Sequence, residues 1–215
     1  MGSRAKAFDL DVEPMGWKAG FVSATAREAL GLDGLLAGCL TEETLLESGA
    51  SIDVGGWSSP AFEAEVAVRL GTDLPAGADP DGAAAAIDAV AAAIELIDPD
   101  ESLRDPEQIM DLNVFHRRFL LGEFLAIEDR AALDAVRIDV EIDSETIAAA
   151  VDPRDELGAL GSVVAGVARR LAPRDIALNY RDIIITGAAI PPIAVTGGER
   201  FTVRLSSSEA VIRID

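Results

Sequence analysis

Hydrophobic and polar positions alternate most cleanly between Ala61 and Leu70, in Ala-Phe-Glu-Ala-Glu-Val-Ala-Val-Arg-Leu. Phe62, Ala64, Val66, Val68 and Leu70 fall on one face, and Glu63, Glu65, Ala67 and Arg69 on the other. A period of two marks a half-buried strand. Comparable patterns predict strands at Met15–Val22, where glycines permit close backbone approach, at Leu35–Leu40 and within Thr44–Val54. The β-branched run Ile94-Glu95-Leu96-Ile97 reads as a strand ended by Pro99, with Glu95 pointing away from Ile94 and Leu96. Phe119–Gly122 and Ala135–Ile142 read the same way. From Asp182 onward the chain is all strand and turn, through Ile183–Ile185, Ile193–Val195, Phe201–Leu205 and Ala210–Ile214.

A helical period appears in fewer places. Ser23 can cap a helix over Ala24–Leu30 that Gly31 stops. Asp79 or Asp81 caps an alanine-rich helix from Ala83 to near Ala92, favoured by intrinsic propensity. Glu101–Met110 reads as a short acidic helix or a loop. Asp155–Ala172 is the clearest amphipathic helix, with Leu157, Leu160, Val163, Val164, Val167 and Leu171 at helical spacing. Residues 1–13 read as a short tail or an edge strand. No repeat, linker or composition break divides the chain, so residues 1–215 are expected to form one domain. Many strands with few helices predict an α+β fold whose strands curl into a mixed β-roll or barrel.

Composition narrows the function. A formal net charge of −20 excludes a nucleic-acid binder, whose phosphate partner would be repelled, and disfavours anionic membrane surfaces. The apolar runs are too short to span a bilayer, and no secretory signal follows Met1. The single cysteine, Cys39, excludes an internal disulfide and suits a reducing compartment, so a cytoplasmic location is expected. The cations are almost all arginine; the only lysines are Lys6 and Lys18. Lys18 lies on a predicted strand among apolar neighbours, where a compact ammonium can serve a purpose or merely snorkel to water.

Glu63 and Glu65 share a strand face about 7 Å apart, close enough to straddle a divalent cation if a third oxygen ligand joins them. The ordinary alternative is a solvated acidic face. Glu95 is the candidate third ligand, and three carboxylates leave positions on a hard cation open for substrate oxygens. Lys18 could then neutralise an anionic substrate, or donate a proton if burial depresses its pKa. His116, the only histidine, has no partner for a His/Cys zinc site and reads as structural or surface. Gly187 closes an apolar strand, where its missing side chain could admit a ligand. No dinucleotide fingerprint, P-loop, nucleophile elbow or zinc-protease motif is present.

Several segments, taken in order, resemble the 2-keto-4-pentenoate hydratase family of the fumarylacetoacetate hydrolase superfamily. They are Gly16-Trp-Lys18-Ala-Gly, Leu30-Gly, Gly38-Cys-Leu40, Glu63-Ala-Glu65-Val-Ala, Ala93-Ile-Glu95-Leu-Ile-Asp98, Asp111-Leu-Asn113, Asp182-Ile-Ile-Ile-Thr186-Gly187 and Gly197-Gly-Glu-Arg-Phe. The resemblance implies a compact β-roll and Mg²⁺ or Mn²⁺ on Glu63, Glu65 and Glu95. It also implies Lys18 as the active-site lysine, with Thr186 and Gly187 at the substrate. It further implies a small 2-oxo acid or 2-hydroxydienoic acid as substrate, a hydratase reaction through an enolate, and a homo-oligomer. A decarboxylase, a C–C bond hydrolase or a non-catalytic metal-binding subunit are the alternatives. Leu112, Ala188 and Pro99-Asp100 depart from the family pattern, and fewer residues precede the lysine, so an altered substrate or a site shared between subunits is expected.

Overall fold

The computed structural model describes residues 13–100 and 102–215. The expected tail or edge strand lies outside the described residues except for Glu13, which is in no regular element. Two sheets make the body. In the larger, nine-stranded one the order is β2 (Leu36–Leu40), β1 (Gly16–Gly20), β11 (Ile183–Ile185), β5 (Ala61–Leu70), β6 (Ile87–Ile97), β7 (His116–Leu121) and β3 (Leu45–Leu46). Short strands β12 (Ile193–Ala194) and β8 (Leu125–Ala126) add to β5 and β6. The smaller runs β10 (Glu145–Val151), β9 (Ile138–Ile142), β13 (Arg200–Leu205), β14 (Ser208–Ile214) and β4 (Ala50–Ile52). Most neighbours are antiparallel, but β1–β11, β3–β7 and β4–β14 are parallel, so the sheets are mixed.

One apolar core lies between the sheets. Phe62 of β5 stacks on Phe201 of β13 with ring centroids 4.4 Å apart, and the Ser208 hydroxyl accepts from the Ala92 amide at 3.0 Å. Helices α1 (Ala24–Leu30), α2 (Pro80–Ala86), α3 (Pro106–Asp111), α4 (Arg130–Asp134), α5 (Pro153–Leu157) and α6 (Leu160–Leu171) flank this body. Leu157, Leu160, Val163, Val164, Val167 and Leu171 are all buried, as their spacing predicts, with α6 packed on α2, β1 and β2. The expected single helix over Asp155–Ala172 is two: Gly158, at φ 74°, breaks it into α5 and α6.

Two expectations about local structure are corrected. The alanine run is helical only to Ala86, and the chain from Ile87 is a strand. Alanine's helix preference is a fraction of a kcal/mol per residue, whereas this segment pairs on both edges and is buried on both faces. Val90, Ala92, Ile94 and Leu96 face the main core, while Ala91 and Ala93 join a second cluster with Ala67, Phe119 and Ile185 on the sheet's other face. That second cluster also corrects the reading of β5 as half-buried. The two faces are assigned as predicted, but the acidic one is covered: Glu65 and Ala67 are wholly buried. Carboxylates on it are therefore not an ordinary solvated face.

Candidate metal centre

The pairing of β5 with β6 places Glu63 directly opposite Glu95. Glu65 lies two residues along the same face, and one oxygen from each of the three carboxylates falls within 4.8 Å of the others. Like charges opposite one another on paired strands are destabilising, and burial makes the repulsion worse. Something positive must offset it.

Lys18 supplies part of the offset. It enters from β1, only 2 % exposed, and its ammonium lies 2.5 Å from Glu95 Oε1 while donating to the Val114 carbonyl at 3.1 Å. The expectation that burial depresses the lysine is not met. Burial alone pulls the ammonium down, but the fields of Glu95, Glu63 and Glu65 outweigh it and hold the pKa above its ordinary value. Lys18 is a lodged cation, not a snorkelling one.

His116, read from the sequence as structural, belongs to this cluster. A register shift between Leu96 and Ile97 in the β6–β7 pairing accompanies the placement of its ring beside Glu95, with Nδ1 2.6 Å from Oε1. Burial holds the imidazole below its usual pKa despite the Glu95 contact, so near neutral pH it is uncharged. Its Nδ1–H then donates to the carboxylate. Burial pushes Glu95 up, but Lys18 and His116 more than reverse this and bring it to about 2. Burial and the Glu95 charge push Glu63 up to about 8, and burial with both neighbouring acids raises Glu65 well above its ordinary value.

The protein ties one oxygen on each of the two buried acids and leaves the other bare. Gly187 N–H donates to Glu65 Oε2 at 2.7 Å, and Lys18 and His116 occupy Glu95 Oε1. Glu65 Oε1 and Glu95 Oε2 are buried without a hydrogen-bond partner. Glu63 is half-buried and faces the adjoining cleft. Two orphaned buried carboxylate oxygens, held in orientation from behind, with a third acid open to a cleft, fit a hard divalent cation.

The surrounding backbone is shaped to this arrangement. Asn113, Val114 and Phe115 all have positive φ, at 53°, 53° and 64°, which for a β-branched or bulky residue is a conformation that only its surroundings enforce. This left-handed turn aims the Val114 carbonyl at Lys18, and Asn113 anchors it by accepting from the Cys39 amide at 2.7 Å and donating to the Cys39 carbonyl at 2.9 Å. Burial pushes the Cys39 thiol up to about 11, which leaves it a poor nucleophile. At Gly38 a Cβ would meet Asn113 Oδ1 at 2.6 Å and Lys18 Cγ at 2.9 Å. Gly38→Ala is therefore expected to lower stability by about 1–3 kcal/mol and to reduce activity by shifting Lys18. Thermal denaturation and steady-state rates check both effects.

The site opens into a cleft of about 1020 Å³ lined by Lys18, Glu63, Gly187 and Ala188 together with apolar side chains. Gly187, at φ 97°, has no room for a Cβ, which would sit 2.8 Å from Val22 Cγ2. The structure brings Lys18, Glu63, Glu65, Glu95 and Gly187 together. Thr186 lies beside them but is fully buried, and its hydroxyl donates to the Val66 carbonyl at 2.9 Å. Leu112, one of the departures from the family pattern, is 53 % exposed.

No family model and no curated protein matches the sequence. Solved structures do. The chain is similar over its whole length to a 4-oxalocrotonate decarboxylase from Pseudomonas putida G7. In that protein's complex with magnesium and adipate the identity is 24 %, 87 % of the other chain is covered and the TM-score is 0.84. Its complex with calcium and acetate gives 25 %, 86 % and 0.83. A fumarylpyruvate hydrolase from Pseudomonas aeruginosa, in complex with Mn²⁺ and pyruvate, matches 92 % of this chain and 88 % of its own at 17 % identity and a TM-score of 0.70. The chain shares the fold of these proteins. The α+β fold with mixed sheets is the one that the sequence resemblance implies. No helix among the described residues is long and apolar enough to cross a membrane.

The raised carboxylates make metal binding pH-dependent with a definite sign. Below about pH 8 Glu63 carries a proton in the metal-free protein, and Glu65 is pushed the same way. A divalent cation must displace those protons, so Mg²⁺ affinity is expected to rise with pH. Calorimetry at pH 6 in buffers of different ionisation enthalpy should show about one or more protons released per Mg²⁺, a number that falls as pH rises through about 8, where Glu63 loses its proton without the metal. For the metal-free fold, a carboxylate raised above its unfolded value contributes stability that is full below the unfolded pKa and lost as pH rises through about 8. The stabilisation conferred by Mg²⁺ should accordingly be larger at pH 8.5 than at pH 5.5.

Proposed function

We propose that this protein is a divalent-metal-dependent lyase that hydrates a small 2-oxo or 2-hydroxydienoic acid. The observation that carries the reading is the pair of orphaned buried oxygens on Glu65 and Glu95, beside Glu63 at the base of a cleft. These three residues would hold Mg²⁺ or Mn²⁺, which supplies Lewis-acid polarisation of a 2-oxo acid's carbonyl when bound. Lys18 gives the site the positive charge that an anionic enol or enolate requires, and, held above its ordinary pKa by the three acids, it acts through that fixed charge rather than by giving up its proton. Gly187 N–H and the Lys18–His116 pair hold Glu65 and Glu95 in orientation. In hydration, the hydroxyl of water adds to the distal carbon of the conjugated alkene and a proton adds to the carbon next to the carbonyl. The apolar walls of the cleft limit bulk water around that step.

A second reading, decarboxylation on the same platform, is supported by the likeness to the 4-oxalocrotonate decarboxylase at a TM-score of 0.84. Both reactions can be followed in one assay. With Mg²⁺ and a 2-hydroxydienoate, the dienol absorbance is expected to disappear without release of carbon dioxide. Carbon dioxide from a dicarboxylic 2-oxo acid would favour the second reading. Turnover of neither class of substrate would contradict the proposal and favour a non-catalytic metal-binding subunit.

A further inference from the structure

We infer that the cleft selects a 2-oxo acid whose tail is bulky, apolar and uncharged, and discriminates against one whose tail ends in a second carboxylate. This rests on the Glu63–Glu65–Glu95 reading given above. The cleft, at about 1020 Å³, is at the upper end of ligand pockets and has far more room than a five-carbon acid fills. Part of its lining comes from a separate apolar cluster in which Phe21, Leu30, Leu103 and Phe115 pack against buried Ile109 and Val114. Leu157 and Ile190 add further apolar lining. Phe21 and Phe115 both sit at positive φ, 53° and 64°, so the fold holds two aromatic residues at the cleft through backbone conformations that such residues seldom adopt.

Charge at the cleft leads to the same conclusion. Among the described residues that line it, the ionisable ones are Lys18, Glu63, Asp100, Arg104 and Glu156. Lys18 is committed to Glu95 and the Val114 carbonyl. Arg104, which donates from Nη1 to the Leu103 carbonyl at 2.8 Å, is the one guanidinium among the described lining residues. Asp100 is fixed as an anion by the Ser102 amide and hydroxyl, and Glu156 is a second exposed acid. Beyond Lys18 and Glu63 the lining therefore carries two acids, Asp100 and Glu156, against one cation, Arg104. A second carboxylate on the substrate would lose water to apolar walls and meet a lining in which acids outnumber the cation, which is costly. An uncharged hydrocarbon tail gains from the same walls.

A cleft of this character separates hydration from decarboxylation. Loss of carbon dioxide needs a substrate carboxylate placed so that the electron pair of the breaking C–C bond passes into the 2-oxo group. Such a substrate carries two carboxylates. A cleft that disfavours a second one suits hydration, in which the tail only has to present an alkene.

Binding to the full chain loaded with Mg²⁺, read by competition against oxalate, tests this. 2-Oxo-4-phenylbutanoate is expected to bind roughly ten-fold or more tightly than pyruvate through burial of its ring, with 2-oxoglutarate no tighter than pyruvate. Tighter binding of 2-oxoglutarate than of the phenyl compound would overturn the inference, as would equal affinity for all three. Oxalate has no tail and reads the metal site alone. Absence of Mg²⁺-dependent oxalate binding would remove the underlying reading and the inference with it. Leu103→Lys, at a half-exposed position, is expected to raise the affinity for 2-oxoglutarate relative to pyruvate roughly ten-fold by providing a counter-charge. An unchanged ratio would mean that the tail does not meet this wall.

Discussion

Glu65→Gln should abolish Mg²⁺ binding and activity while leaving the metal-free protein at least as stable as the parent. The amide oxygen can still accept from Gly187 N–H, so the local hydrogen bond survives. What disappears is a carboxyl that burial, with Glu95 and Glu63 beside it, favours in the protonated form until a cation displaces the proton. Glutamine is neutral at every pH, so the metal-free fold can no longer acquire a third like charge there as pH rises. The same change deletes the bare oxygen that a cation requires, and a loss of affinity of roughly 100-fold or more is expected from a direct ligand, since even outer-shell partners cost 10- to 100-fold. Thermal denaturation with and without Mg²⁺ reads both effects. The parent should gain melting temperature with the metal, and the variant should not. A variant that melts well below the parent without metal, yet keeps the Mg²⁺ shift, would show Glu65 to be structural only.

Lys18→Met carries the second large effect, and it separates catalysis from metal binding. Methionine fills much of the same volume but leaves Glu95 with His116 as its remaining side-chain partner. Breaking a buried pair by removing one member costs about 3–5 kcal/mol, so the metal-free variant should be markedly less stable. A cation at the three acids offsets the exposed charge. Mg²⁺ is therefore expected to bind at least as tightly as in the parent, because a competing positive charge has gone, and to restore much of the lost stability. Turnover should nevertheless fall by roughly 100- to 1,000-fold, the range associated with losing one fixed electrostatic stabiliser of developing negative charge. Retained turnover with tight metal binding would remove Lys18 from the chemistry.

Much of the fold is legible because local and tertiary preferences agree. Ser23 and Gly31 bound α1 where their capping chemistry predicts, and the Ser23 hydroxyl accepts from the Ala26 amide. The two faces of β5 follow from alternation alone. Where local preference and tertiary pairing disagree, the sequence misleads. Ala89, Ala91, Ala92 and Ala93 favour a helix by propensity, yet they lie in a strand because small side chains let β5, β6 and β7 be covered on both faces. The β9–β10 hairpin is not legible in the sequence as a unit. Its turn uses Asp143 and Ser144, at φ 51° and 69°, without the glycine that usually announces such a turn.

The candidate site divides in the same way. Glu63 and Glu65 are visible as a pair because they share one strand. Glu95 joins them only through long-range pairing, which ordered resemblance suggests and spacing cannot supply. His116 gave no local sign of its place, since its contact with Glu95 depends on a register shift between Leu96 and Ile97. Its one available signal is position: the only histidine begins the strand next to the one carrying Glu95. The lodging of Lys18 likewise depends on the left-handed turn at Asn113–Phe115, which no glycine marks.

The central claim is that Glu63, Glu65 and Glu95 form, with a divalent cation, a platform for the carboxylate and adjacent oxygen of a 2-oxo acid. Calorimetric titration of oxalate, which mimics the enolate form of such an acid, addresses it most directly when run with and without Mg²⁺. The account predicts binding of one oxalate per chain that requires Mg²⁺ and is lost in Glu65→Gln. Absence of binding with Mg²⁺ present, or the same binding without it, would contradict it.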